Sequence, residues 1–156
     1  MSTDLAKLRQ TFTRTLILTS RQWRRMADRA AQTHGLSDAT ALPLILIGHM
    51  APPPTQTALA EVMGVECASL VRPLDQLSAA DLVERREDPN DRRAKTLSLT
   101  PEGEAIVAEV EATMAGLRQD VLENVSAADL KAALRVLQAI QTHAAKLSDA
   151  EETEAA

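Results

Sequence analysis

The run Thr55-Gln-Thr-Ala-Leu-Ala-Glu-Val-Met-Gly-Val-Glu-Cys-Ala-Ser-Leu-Val-Arg-Pro-Leu-Asp-Gln-Leu-Ser-Ala-Ala80 decides how this chain folds. Thr55 is suited to cap a helix over Gln56 to Met63, because its hydroxyl can accept from an otherwise unpaired amide of the first turn. Leu59, Val62 and Met63 fall on one face of that helix. Gly64 stops it, since glycine takes up the left-handed conformation just past a helix end at little cost. A second helix is predicted over Glu66 to Ala80, with Leu70, Leu74 and Leu77 on its buried side and Ser69, Arg72, Asp75 and Gln76 facing outward. Two short helices joined by a glycine turn, the second carrying a row of hydrogen-bonding side chains, make a helix-turn-helix pattern. Pro73 removes the bond to the Ser69 carbonyl and crowds the preceding turn, so a kink or an irregular first turn is expected there.

Downstream, Leu82 to Arg86 and Lys95 to Leu99 show rough apolar/polar alternation, as a half-buried antiparallel pair would. Pro89, Asn90 and Asp91 between them supply turn chemistry. Arg92, Arg93 and Lys95 then crowd the exit of the hairpin, and an arginine on a narrow arm suits the electronegative minor groove of DNA. By itself such a charge run is most often a solvated turn; behind a helix-turn-helix it becomes the wing of a winged helix. Asp81, at the turn leaving the second helix, is one of the few non-glycine residues that tolerate a left-handed backbone. Thr100 and Pro101 then open a further helix as cap and first residue.

The ends of the chain carry long apolar stripes. Leu5, Leu8, Phe12, Leu16, Thr19, Trp23, Met26 and Ala30 recur at helical spacing. Ile106, Val110, Met114, Leu117 and Val121 form a second stripe, and Ser126 with Asp129 resembles a capping box ahead of Leu130, Leu134, Leu137, Ile140 and Leu147. One small domain cannot bury all of these, whereas a symmetric dimer would cover them. The expected fold is mainly α with a small β-hairpin. Residues 1–35 and 101–148 would form a helical dimerisation region, residues 36–100 a winged helix-turn-helix, and residues 149–156 a flexible acidic tail. Pro43, inside the apolar run Ala41 to Gly48, is expected to disturb the helix preceding the winged helix.

The 156 residues, 45% of them apolar, suffice for one domain with a real core. The polar start Met-Ser-Thr-Asp-Leu5 and the absence of an apolar run near the roughly 18 residues of a membrane span lead to the expectation of a cytoplasmic protein without a membrane partner. One cysteine and three scattered histidines offer no intrachain disulfide and no metal-ligand spacing, so neither a metal nor another cofactor is expected. The same residues make no convincing nucleophile triad, phosphate loop or carboxylate pair, which argues against an enzyme. Residues 1–100 hold 13 Lys/Arg against 11 Asp/Glu, while residues 101–156 hold 4 against 11. The acid of this chain, net charge −5, therefore lies away from the proposed reading head. Counterion release should be modest and concentrated at the wing and second helix.

Thr55-Gln56-x-x-Leu59-Ala60-x-x-Met63-Gly64-Val65, Ser69-Leu-Val-Arg72, Leu74-Asp-Gln-Leu77, Leu82-Val83-x-Arg85, Asp88-Pro-x-Asp91-Arg-Arg-Ala-Lys95 and Leu99-Thr-Pro-x-Gly103 together resemble the MarR family of bacterial transcription regulators, in particular its SlyA-like branch. The resemblance covers about 50 contiguous residues and departs from the family at Asp81, which stands where glycine is usual, and at Pro43 and Pro73. It implies a ligand-responsive repressor that binds a pseudo-palindromic double-stranded DNA operator as a homodimer. Thr55, Gln56, Ser69, Arg72, Gln76, Asp91, Arg92, Arg93 and Lys95 would be its DNA-binding residues. Arg can donate bidentately to guanine and Ser can bond base or phosphate, whereas Gln76 suits a phosphate. The resemblance places Arg93 in the minor groove, its guanidinium held by Asp91, with Arg92 near a phosphate or an acidic helix residue such as Asp75.

The same resemblance implies a small aromatic or phenolic acid effector. Arg21 and Arg24, three apart on one helix, could clamp its carboxylate beside the Trp23 ring. Trp23 also lies on the apolar seam, which is an alternative role for it, and Ala39 and Ala41 stand where relatives often carry a hydroxyl and an aromatic ring. Two other functions fit parts of the pattern. One is a winged-helix protein-interaction module that no longer binds DNA; the other is a thiol-based redox regulator using Cys67, whose place near a helix start would lower its pKa.

Overall fold

The computed structural model describes residues 2–87 and 95–154, with the side chains at 2, 3, 38 and 148–154 excepted. Its elements are α1 (Ser2–Gln32), α2 (Asp38–His49), α3 (Gln56–Met63), a 3-10 turn (Cys67–Leu70), α4 (Val71–Ala79), β1 (Val83–Glu87), β2 (Lys95–Leu99), α5 (Pro101–Leu122) and α6 (Ala127–Glu154). The chain divides into two compact units, Met1–Leu117 and Arg118–Ala156. No helix among the described residues is long and apolar enough to cross a membrane.

Local chemistry sets the helix boundaries. The Thr55 hydroxyl accepts from the Ala58 amide at 3.2 Å, so α3 starts where its cap places it. Gly64 ends that helix at φ 65°. The backbone of Ser37 donates to the Thr40 hydroxyl at 3.0 Å at the start of α2. Pro43 lies inside α2 without ending it and is fully buried, so its ring serves the core although it forfeits one ladder bond. At the start of α6 the Ser126 hydroxyl accepts from the Asp129 amide at 3.1 Å and donates to the Asp129 carboxylate at 2.6 Å.

The kink or irregular first turn expected at Pro73 takes the form of a 3-10 turn ahead of α4, since Pro73 cannot bond the Ser69 carbonyl. Two sequence expectations are corrected. The first strand begins at Val83 and not Leu82, since the Leu82 amide closes the end of α4 by donating to the Leu77 carbonyl at 3.0 Å. The buried face of α5 is Gly103, Val107, Val110 and Met114; Ile106 and Leu117 pack at its margin and Val121 is exposed. Helical backbone of α6 continues to Glu154, into the segment named as an acidic tail.

The core of the first unit gathers Leu44 and Ile47 of α2, Leu59 of α3, Leu70 of the 3-10 turn, Leu74 and Leu77 of α4, Val83 and Leu97 of the hairpin, and Val110 of α5. Strands β1 and β2 pair antiparallel from Val83↔Leu99 to Glu87↔Lys95. The hairpin base is tied down on both sides. The Leu97 amide donates to the Pro54 carbonyl at 2.8 Å, which joins β2 to the segment leading into α3. On the other side the Thr100 hydroxyl donates to the Asp81 carbonyl and accepts from the Gly103 amide at 3.0 Å. Asp81 takes the left-handed conformation at φ 57°. Gly103 lies so close to Leu82 that a Cβ there would stand 2.0 Å from the Leu82 carbonyl oxygen.

Candidate nucleic-acid interface

The second helix of the helix-turn-helix presents two faces set by its sequence. Leu70, Leu74 and Leu77 are buried against the core, and this fixes the roll of α4. Ser69, Arg72, Asp75 and Gln76 are left exposed on the opposite side. The glycine turn and the start of α4 are braced from α3: the Gln56 side-chain amide donates to the Cys67 carbonyl at 3.0 Å. Thr55 and Gln56, both named from the sequence as DNA contacts, therefore each hold part of the helix-turn-helix in place, Thr55 as a cap and Gln56 as a strut. Cys67 is an exposed free thiol beside that strut.

Asp75 is engaged by a residue that sequence reasoning did not assign to it. Its carboxylate accepts from the Arg85 guanidinium of β1 at 2.8 Å. Arg85 follows Val83 by two residues and so shares its face of the hairpin, the face turned toward α4. Arg92, proposed from the resemblance as a partner for Asp75, lies outside the described residues, as do Asp91 and Arg93; Lys95, at the start of β2, is exposed. Period-two alternation, which puts Arg85 on the face of the apolar Val83, was the signal that could have found this contact. On the other face of β1 the Arg86 guanidinium donates to the Glu84 carboxylate.

The three residues named for an effector all lie on α1. Arg21 and Arg24 are exposed on α1, whereas Trp23 is half-buried and packs against the core of the first unit. A separate open cleft of about 620 Å³ lies between α2, β2 and α5, lined by Ile47, Leu99 and Val107 with His49, Glu104 and Glu111 among its polar groups. None of Arg21, Trp23 or Arg24 borders it. Elsewhere, His34 at the end of α1 contacts α5 through both ring nitrogens, Nδ1 at 3.2 Å from the Glu109 carboxylate and Nε2 at 2.8 Å from the Thr113 hydroxyl. No group of three or more His, Cys, Asp or Glu that could hold a metal occurs among the described residues.

Residues 34–94, from the end of α1 through the wing, match the model of the MarR family. Over nearly its whole length the chain also matches a solved structure described as transcriptional regulator PA3341, with 37% identity and a TM-score of 0.81, covering 86% of this chain and 98% of that one. The chain belongs to the MarR family. Its elements, six α-helices and a two-stranded hairpin in the described residues, are those of a winged-helix member of that family. CouR from Rhodococcus jostii RHA1, solved with p-coumaroyl-CoA bound, is 25% identical over 81% of this chain and 88% of its own, with a TM-score of 0.75. MarR from E. coli, solved in its apo form, is 25% identical over 82% of this chain and 95% of its own, with a TM-score of 0.69.

Proposed function

We propose that this MarR-family chain is a sequence-specific regulator that binds a pseudo-palindromic double-stranded operator as a homodimer, with α4 in the major groove and the wing in the minor groove. The observation that carries this reading is the exposed row Ser69, Arg72 and Gln76 along the 3-10 turn and α4, whose roll is fixed by the buried Leu70, Leu74 and Leu77. On that row Arg72 reads guanine bidentately, Ser69 bonds a base edge or phosphate, and Gln76 bonds a phosphate. In the wing, Arg93 enters the minor groove with Asp91 holding it, while Arg92 and Lys95 neutralise phosphates.

Self-association is supported by large apolar side chains left exposed at both ends of the chain: Leu5, Leu8, Phe12, Ile17 and Leu18 on α1, and Leu134, Val136, Leu137, Ile140 and Leu147 on α6. On each helix, exposed apolar side chains in such number mark an interaction surface. A second copy would bring two α4 helices to half-sites about 10 base pairs apart. Response to a small aromatic or phenolic acid belongs to the same reading, with Arg21 and Arg24 offering the cationic groups.

An electrophoretic shift against duplexes selected by the wild-type chain from a randomised pool tests this function. Arg72→Ala is expected to lose about 1 to 3 kcal/mol of binding and to relax base preference at one symmetric pair of positions. A wild-type chain that enriches no sequence would overturn the reading.

A further inference from the structure

The contact between Asp75 and Arg85 is costly to explain as a device of stability. Its side chains are 57% and 35% exposed, and an ion pair that wet contributes little to folding. Its placement is more telling. Successive residues advance by about 100° around a helix, so Asp75 stands only about 60° from Arg72. It thus borders the row proposed to face DNA, on the flank next to the wing. An unpaired carboxylate there would face a polyanion and repel it. Arg85 arrives from β1 and binds the Asp75 carboxylate at 2.8 Å. The guanidinium offsets that charge and ties the reading helix to the strand that carries the wing.

We propose that Arg85 is a positioning residue for DNA recognition: by pairing with Asp75 it silences the acidic side chain of α4 and fixes the wing strand relative to that helix. The proposal rests on the DNA-binding reading above. Without Arg85 the Asp75 carboxylate is a penalty against DNA.

The test is fluorescence anisotropy with the duplex that the wild-type chain selects from a randomised pool, alongside thermal unfolding of each variant. Arg85→Gln is expected to weaken binding about tenfold, the scale of an uncompensated charge at an interface, with an unfolding midpoint close to wild type. Arg85→Lys keeps the charge and should recover most of that loss. The decisive variant is the double change Asp75→Asn with Arg85→Gln, which removes the unpaired carboxylate and should return affinity to within about threefold of wild type. A double variant as weak as Arg85→Gln alone would overturn the proposal and make Arg85 a direct DNA contact. Wild-type affinity in Arg85→Gln would overturn it as well. If the wild-type chain selects no duplex at all, the DNA-binding reading itself falls, a result distinct from either.

Discussion

The winged helix and the terminal helices solve the same problem, apolar surface, in opposite ways. In the winged helix the leucines of α2, α3 and α4 and the apolar residues of the hairpin close on one another within a single chain, with Leu44, Leu59, Leu74, Leu77 and Leu97 fully buried. Along the first half of α1 and along α6 large apolar residues recur at helical spacing but many remain exposed, Leu8 at 66% and Leu134 at 57%. A region that completes its own core can hold a fixed surface toward DNA. One that leaves its stripe open has surface for a partner to complete, which the homodimer proposed above would do while doubling the reading surface.

The contrast makes graded expectations. Leu74→Ala, at the centre of the closed core, should destabilise the chain by about 2–5 kcal/mol, measured by urea unfolding. Were it to cost less than a typical surface change, α4 would not be anchored as described. Gly103→Ala should follow at about 1–3 kcal/mol, because the new methyl meets the Leu82 carbonyl and the wing base must shift to admit it. Leu8→Glu acts on the open stripe instead. It should weaken self-association by about 2 kcal/mol in sedimentation equilibrium while leaving the near-ultraviolet signature of the lone chain unchanged. The smallest effect belongs to Thr55→Ala, about 1 kcal/mol of stability from loss of the α3 cap. Operator affinity that fell far more than this would mean that Thr55 touches DNA directly as well as capping.

What could be read from the sequence follows the range over which each signal acts. The cap at Thr55, the stop at Gly64, the leucine face of α4, the strand Lys95–Leu99 and the Thr100-Pro101 helix start are local devices, each decided by residues within a turn or two. Where a contact between distant elements decides, local reading falls short. The buried face of α5 includes Gly103, which packs against the Leu82 backbone, and Val107, whereas Val121 is exposed. Asp75 finds Arg85, ten residues away across a turn, because β1 brings the face shared by Val83 and Arg85 alongside α4. The hydrogen bond from the Gln56 amide to the Cys67 carbonyl, eleven residues on, is another contact that local reading does not supply. Pro73 gave an unambiguous warning of irregularity, and the 3-10 turn ahead of α4 is the form that it took.

The division of labour between a closed reading head and open terminal helices is tested most directly by the native mass of the complex on a duplex bearing two inverted copies of the selected half-site. Two chains on one duplex, bound together without a populated one-chain intermediate and with half-sites about 10 base pairs apart, is the expected result. A single chain filling the duplex with full affinity would contradict it.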